Sequence, residues 1–247
     1  MTVPSGWELP QAIKRRLGQK EAGKQRAMVA EEHLLLILHK VPKQGSRKRT
    51  GLFFWRTPNG SWKYSGGGDG LGKLRSHVKA YSDAEQALTA QYEQAATAAD
   101  YFHLLENIGP LSRATANLYA ALQAAREAIS DDLNIIDLRD AAIDLSRTLE
   151  LLYDDTKNAL DYALAKQAEE QARLSQKSVR TAQRLNILAA IFLPLTALSS
   201  VFGMNLHSGL EDQSTSIFWI VLIAGIFLGF ATRDWVLRGK VRPSNSK

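Results

Sequence analysis

The fold is decided by residues 185–232, which read LNILAAIFLPLTALSSVFGMNLHSGLEDQSTSIFWIVLIAGIFLGFAT. Residues 185–210 carry no formal charge, nor do residues 213–232, and only Glu211 and Asp212 lie between the two runs. A helix needs about 20 predominantly apolar residues to cross the hydrocarbon core of a bilayer. The sequence therefore predicts two transmembrane helices that form a hairpin with a short acidic loop.

Basic residues predict the orientation of this hairpin. The connecting loop has no Lys or Arg, whereas both outer ends are basic, with Lys177, Arg180, Arg184, Arg233, Arg238, Lys240 and Arg242. By the positive-inside rule, both termini are cytoplasmic and the loop faces outward. We expect a multi-pass protein of the plasma (inner) membrane. The alternative, a soluble protein, would have to bury both uncharged runs completely.

Composition requires a polar part besides the hairpin. The chain has 247 residues, of which 23% are charged, and its mean hydropathy is −0.21, so most of it lies outside the membrane. Without cysteine it can form no disulfide and no thiolate metal site. The net charge of +6 comes without an aromatic-interleaved basic motif, so we expect no nucleic-acid partner. Membrane lipid headgroups account for the basic residues near the hairpin.

The first seventy residues have the pattern of a small β unit. Short strands are predicted at residues 25–30, 33–39, 51–56 and 61–65, because β-branched, aromatic and apolar residues alternate with turn residues there. Asn59-Gly60 is typical of a two-residue type I′ turn. The sequence predicts an antiparallel meander of three or four strands within residues 1–70.

A glycine cluster at residues 66–72 closes this unit. Gly67 through Lys73 has the Gly-x-x-x-x-Gly-Lys spacing of a phosphate-binding loop. However, Leu74 stands where that motif needs a Ser or Thr to bind Mg²⁺, and the preceding strands read as antiparallel. A flexible linker is the favoured interpretation.

From Leu71 onward the apolar period becomes 3.6, which predicts helices. We expect a first helix from Leu71 to about Asn107, ended by Gly109-Pro110, and a second from there to about Ile129. A third helix is predicted from about Asp137 to Gly203, with a heptad seam as far as Ala163 and a polar stretch after Lys166. At 1.5 Å per residue it would be roughly 100 Å long.

The predicted fold class is therefore a mainly α membrane protein. Residues 1–70 form the small cytoplasmic β unit, and residues 71–184 form a cytoplasmic helical bundle and stalk. Residues 185–235 form the transmembrane hairpin, and residues 236–247 form a basic cytoplasmic tail.

The hairpin also resembles a known family. Leu193-Pro194-Leu195-Thr196, then Gly203-Met204-Asn205, a short acidic loop, a second span and a basic tail resemble the CorA family of divalent-cation (Mg²⁺) channels over residues 175–242. Because family members usually carry a larger cytoplasmic domain, the chain is similar to a short or divergent member. The resemblance implies a homopentamer in which the first span lines an axial pore and the second surrounds it. It implies no cofactor besides the transported ion.

By this resemblance, Gly203, Met204 and Asn205 form the selectivity filter. Mg²⁺ gives up its water reluctantly. A ring of Asn205 carboxamides could accept hydrogen bonds from the waters of the hydrated ion without removing them. Gly203 would permit close backbone approach, and Met204 would pack as an adaptable apolar residue. The carboxylates of Glu211 and Asp212 could concentrate cations at the outer mouth, or could be ordinary solvated loop charges.

Below the predicted filter, five residues recur at spacings of three or four and can share one helix face: Asn186, Ala189, Leu193, Thr196 and Ser200. In a pore, Asn186 and Thr196 would offer oxygens to a hydrated ion, while Leu193, with Leu185, would form apolar constrictions. The alternative for Thr196 and Ser200 is small-residue packing between spans.

The functional expectation is passive transport of Mg²⁺, with Co²⁺ and Ni²⁺ as further candidates. A potential of 100 mV supplies about 4.6 kcal/mol for a divalent cation, so no pump is required. A zinc transporter of the same superfamily and a non-conducting scaffold or sensor are the alternatives. No ligand-spaced histidine cluster supports zinc, and no nucleophile elbow or His-Glu-x-x-His motif supports an enzyme.

Overall fold

The structure is a computed structural model that describes residues 3–17, 23–43, 49–203 and 216–238. It separates into two compact units, Met1–Lys166 and Gln167–Lys247, whose boundary falls inside the longest helix. The elements are α1 (Gln11–Lys14), β1 (Arg26–Ala30), β2 (His33–His39), β3 (Gly51–Arg56), β4 (Trp62–Tyr64), α2 (Gly70–Gln94), α3 (Ala98–Ala128), α4 (Leu133–Gly203) and α5 (Ser216–Arg238).

The predicted β unit is confirmed. Its four strands form one antiparallel sheet in the order β1-β2-β3-β4. The apolar run of β2 is buried on both faces of the sheet: Leu34, Leu36 and Leu38 pack on the side of the helices, and Leu35 and Ile37 on the side of the N-terminal segment. This two-sided burial explains why β2 is continuously apolar instead of alternating.

The hairpin turns differ from the prediction. Asn59-Gly60 is not a type I′ turn, because Asn59 has a negative φ and only Gly60 has a positive one, +82°. Gly60 N donates to Thr57 O at 2.9 Å, and Thr57 N donates to Ser61 O at 2.9 Å. The connection is thus a three-residue loop in which Pro58 suits the second position of a type I turn and Gly60 takes the left-handed position.

The type I′ turn lies instead between β1 and β2. Ala30 pairs with His33, and the two residues between them, Glu31 and Glu32, have φ of 53° and 61°. Non-glycine residues rarely adopt this conformation, because Cβ then approaches the following carbonyl oxygen. The sequence lacks the Asn-Gly pair that usually marks such a turn. The two-residue length of the loop nevertheless requires a turn of this type.

The glycine cluster is an ordered turn and not a flexible linker. Asp69 caps α2, and its carboxylate accepts hydrogen bonds from Leu71 N at 3.2 Å and Gly72 N at 3.0 Å. A methyl group on Gly70 would overlap the backbone of Trp62, so only glycine fits against β4. Since Asp69 occupies the amides that a phosphate-binding loop would offer, the spacing from Gly67 to Lys73 reflects helix capping.

The predicted boundary between the first two long helices is wrong. The chain breaks at residues 95–97, and α3 then runs through Pro110 without ending. Thr97 and Asp100 form a reciprocal capping box that starts α3, with Thr97 N donating to Asp100 Oδ2 at 2.9 Å. Burial of Leu104, Ile108 and Leu111 on the same helix offsets the hydrogen bond that Pro110 cannot donate.

The third predicted helix is α4, and it starts earlier than expected. Asp132 precedes the helix, and its carboxylate accepts a hydrogen bond from Asn134 N at 3.0 Å. It also accepts one from Arg56 Nε at 2.6 Å, and this bond joins β3 to the start of the helix. The predicted seam is buried in the core of the first unit through Leu138, Ala142, Leu145, Leu149, Leu152 and Thr156. Residues 164–182 are exposed on all sides, as their polar sequence predicts.

Candidate functional site

The C-terminal part of α4 has two different faces. Its partly buried residues recur at spacings of one, three and four, which places them on one side of the helix: Gln183, Ile187, Ala190, Ile191, Pro194, Leu195 and Leu198. The residues between them are exposed. The buried side of this segment is therefore the side that meets α5.

Two glycines of α5 bring the two helices together. A methyl group on Gly225 would lie 3.1 Å from Leu198 Cδ1 and 3.2 Å from Leu195 Cδ1. A methyl group on Gly229 would lie 3.1 Å from the carbonyl oxygen of Ile191. Glycines four residues apart let helix backbones approach closely. The predictions from the sequence did not include this contact, although the Gly-x-x-x-Gly spacing at residues 225–229 is a readable signal for it.

The five residues predicted to line a pore are all exposed in the single chain: Asn186, Ala189, Leu193, Thr196 and Ser200. At 100° per residue, their mean direction lies about 150° around α4 from the residues that contact α5. Leu193 is 67% exposed, and Leu185, the second predicted constriction, is 62% exposed. These residues therefore share a face that α5 does not cover.

The polar groups on this face keep acceptor capacity. Thr196 Oγ1 donates its proton to Phe192 O at 2.8 Å. A hydroxyl has one donor and two acceptor lone pairs, so Thr196 remains able to accept a hydrogen bond from a water molecule. This geometry suits contact with the hydration shell of a cation, whose waters point their hydrogens outward.

The predicted filter lies at the edge of what is described. Gly203 is the last residue of α4. Met204, Asn205, Glu211 and Asp212 lie outside the described residues. Their roles stay predictions from the sequence.

The described residues contain no group of three or more His, Asp or Glu side chains placed to hold a metal ion. Among the cavities formed by the described residues of the first unit are one of about 1320 Å³ and one of about 460 Å³. The larger is lined by both apolar and polar residues of α2 and α3, and the smaller by residues around His39 and Arg113. Neither cavity contains a described cluster suited to a metal cofactor.

Among the titratable groups of the first unit whose pKa values are shifted, His77 and Asp132 are shifted by contacts inside the unit. Burial lowers the pKa of His77 to about 4, and nearby His39 contributes in the same direction. Burial opposes ionisation of Asp132, but hydrogen bonds and the charge from Arg56, with hydrogen bonds from Asn134, outweigh it and hold the pKa of Asp132 below its usual value. Both groups belong to the packing of the unit and lie in no candidate ion site.

One helix among the described residues, within Leu133–Val201, is long and apolar enough to cross a membrane. The second predicted span corresponds to α5, whose residues before Arg233 carry no formal charge. In membrane-spanning helices, polar residues usually face a bundle interior or a water-filled cavity.

The sequence model described as CorA-like Mg²⁺ transporter protein matches residues 71–238, which is more than half of the chain. The chain therefore belongs to the CorA-like family of divalent-cation transporters, a family of membrane proteins. No curated protein sequence matches the chain.

Several solved structures are similar to the chain, among them the following two. The CorA magnesium transporter from Methanocaldococcus jannaschii is 15% identical, with a TM-score of 0.48, over 93% of this chain and 83% of that one. The full-length CmaX protein is 16% identical, with a TM-score of 0.39, over 89% of this chain and 78% of that one.

Proposed function

We propose that this protein carries Mg²⁺ passively into the cytoplasm through a pore formed by several copies of the chain. The observation that carries the proposal is the exposed face of α4 with Asn186, Ala189, Leu193, Thr196 and Ser200, on the side of the helix away from α5. The resemblance implies a pore lined by the first span and surrounded by the second, so the face of α4 that α5 leaves free is the surface available to line it.

Polar groups on this face favour water over lipid. An amide or hydroxyl in hydrocarbon is costly unless it is hydrogen-bonded, and polar residues within membrane helices usually face a bundle interior or a water-filled cavity. Asn186, Thr196 and Ser200 would meet water if copies of α4 surround a common axis. Family resemblance supports five copies, with α5 outside them and in contact with membrane lipid.

The chemistry proposed for the pore is recognition of the hydrated ion. Mg²⁺ keeps its first-shell waters tightly, so acceptors that bind those waters can select the ion without dehydrating it. Asn205 would supply a ring of such acceptors at the outer mouth, and Thr196 would supply another within the pore. Leu193 and Leu185 would form apolar constrictions, and Glu211 and Asp212 would raise the local cation concentration.

Orientation and driving force follow from charge. The basic residues at both ends of the hairpin support an orientation in which both termini lie on the cytoplasmic side of the plasma (inner) membrane. A negative interior then draws the cation inward with about 4.6 kcal/mol per 100 mV. Co²⁺ and Ni²⁺, whose hydrated ions are similar in size, are further candidates for transport.

Flux into liposomes tests this proposal. Purified protein is reconstituted, and uptake of Mg²⁺, Co²⁺, Ni²⁺ and Zn²⁺ is followed for the wild type, for Asn205→Ala and for Asn158→Ala. Asn158 is an exposed asparagine of α4 in the first unit, so its substitution makes the same chemical change away from the pore. We expect Asn205→Ala to reduce Mg²⁺ flux at least tenfold and Asn158→Ala to leave it unchanged.

Other outcomes would overturn the proposal. Equal flux in wild type and Asn205→Ala would show that this amide does not select the ion. Absence of flux for every cation would favour a non-conducting scaffold or sensor. Zn²⁺ flux that depends on a proton gradient would favour a zinc transporter. Native mass spectrometry, which we expect to give a pentamer, counts the copies independently.

A further inference from the structure

Pro194 leaves one backbone carbonyl of α4 without its usual partner. In an α-helix the N–H of residue i donates to the carbonyl of residue i−4. Proline has no N–H, so Pro194 cannot donate to Ala190 O. A carbonyl without a donor in a hydrocarbon environment is costly, and such prolines persist where a neighbouring helix or water satisfies it.

The missing donor comes from α5. Thr232 Oγ1 lies 3.0 Å from Ala190 O, across the contact between the two helices. It also lies 2.9 Å from Leu228 O and 2.9 Å from Gly229 O in its own helix. A hydroxyl has one proton for these three acceptors. Since the helical N–H groups of α5 already serve Leu228 O and Gly229 O, Ala190 O is the acceptor that gains most from that proton.

Gly229 makes this bond possible. A methyl group at position 229 would lie 3.1 Å from Ile191 O and 3.3 Å from Ile191 Cα, closer than most Cβ atoms come to their neighbours, so glycine allows the tightest approach of α5 to α4. Ile191 follows Ala190 directly, and Thr232 stands one turn after Gly229. Glycine therefore sets the approach, and the hydroxyl one turn further on reaches the freed carbonyl.

We propose that Thr232 is a positioning residue of the pore, which satisfies the carbonyl freed by Pro194 and so fixes the course of α4 on either side of the proline. This inference rests on the proposed function for its consequence in transport. Thr196 and Ser200 follow Pro194 on the exposed face, so the direction of the helix beyond the proline determines where their hydroxyls point. Thr232 itself does not contact the ion.

The test is a double-mutant cycle on the full chain in lipid. Thr232→Val removes the hydroxyl and keeps the shape, Thr232→Ser keeps the hydroxyl, and Pro194→Ala restores the N–H that binds Ala190 O. Because the chain has no cysteine, Leu188→Cys and Phe227→Cys can carry a specific spin-label pair on exposed positions of α4 and α5. The distance distribution reports the helix arrangement, and titration with SDS reports its stability.

We expect Thr232→Val to broaden the distance distribution and to raise the equilibrium constant for separation of the helices about threefold, the size typical of one interhelical hydrogen bond. Thr232→Ser should behave as the wild type. In the Pro194→Ala background, Thr232→Val should have no effect, because the carbonyl no longer needs the hydroxyl. A threonine that only fills space would give the same effect in both backgrounds.

An equal effect of Thr232→Val in both backgrounds, or no effect with Pro194 present, would overturn the proposal. If Pro194→Ala does not fold, Thr232→Val and Thr232→Ser are compared in the chain that keeps Pro194. A serine variant that behaves like the valine variant would contradict a role for the hydroxyl. Mg²⁺ flux is measured in parallel, and we expect at least a twofold change with Thr232→Val and recovery with Thr232→Ser. If the wild type shows no flux, the proposed function is overturned. The spin-label measurements would still test the hydrogen bond from Thr232 to Ala190 O independently of transport.

Discussion

His77 illustrates how a single buried side chain makes stability depend on pH. Its ring lies against Phe54 and Tyr81 in the core, with ring centroids 6.0 and 5.4 Å away, and its Nε2 has no hydrogen-bond partner among the described residues. Protonation there would create a buried cation without a counter-charge. Burial accordingly lowers the pKa of His77 to about 4.

This shift predicts loss of stability in mild acid. Because the folded pKa is about 4 and the unfolded one about 6.5, the unfolded chain binds more protons between these values, and stability falls as pH drops from 6.5 to 4. The loss attributable to His77 is at most about 3 kcal/mol. We expect His77→Phe to show a shallower decline, measured by denaturant unfolding of the full chain in detergent at several pH values. Part of the decline should remain in this variant, because burial also lowers the pKa of His39. A decline as steep as that of the wild type would contradict the role of His77.

The turn at Glu31 and Glu32 predicts a stabilising substitution. Both residues have positive φ, a conformation that Asn and Gly adopt more readily. We expect Glu31→Asn with Glu32→Gly to raise the free energy of unfolding by about 1 kcal/mol. Glu31→Ala with Glu32→Ala removes the same charges without relieving the backbone. Equal stabilisation by the alanine pair would show that charge repulsion, and not backbone conformation, was responsible.

One ion pair joins the sheet to the start of the long helix. Arg56 at the end of β3 contacts Asp132 before α4, and their side chains are only 15% and 7% exposed. Removing one partner from such a pair leaves the other charge poorly solvated. We expect Asp132→Ala to destabilise the first unit by about 2 to 3 kcal/mol, measured by denaturant unfolding.

A double-mutant cycle supplies the control for this pair. Arg56→Met with Asp132→Ala removes both charges, so the second substitution should cost much less than it does alone. Additive effects would mean that the two side chains do not stabilise each other.

Local signals predicted the elements well where neighbouring residues decide them. The strands were predictable because turn residues bound each apolar run, and the buried side of α4 followed from its heptad seam. The break before α3 was not predicted because Gly109-Pro110 is a stronger local signal for a helix end than Thr97 with Asp100 is for a helix start. In the fold, tertiary burial of α3 overrides the signal of Gly109-Pro110. The Thr232 contact could not be predicted, since it joins two residues 42 apart in sequence and depends on how the two helices that carry them approach each other.

In the whole molecule, the predicted pore face of α4 was readable from the sequence, but the packing on the other side of the same helix was not. Spacing alone grouped Asn186, Ala189, Leu193, Thr196 and Ser200. In the tertiary structure, Gly225 and Gly229 pack against the other side of α4, so α5 leaves those five residues uncovered. The fold thus provides a physical reason why one helix face is free for copies of the chain to share.

Thiol accessibility can show whether this free face lines the ion path. Leu193→Cys and Phe227→Cys place single thiols on residues that are 67% and 76% exposed in the chain, the first on the proposed pore face and the second on the side of α5 away from α4. A cationic thiol reagent is added to liposomes during Mg²⁺ flux. We predict that the reagent blocks flux through Leu193→Cys and spares Phe227→Cys. Equal block of both variants, or block of Phe227→Cys alone, would show that the ions do not pass along this face of α4.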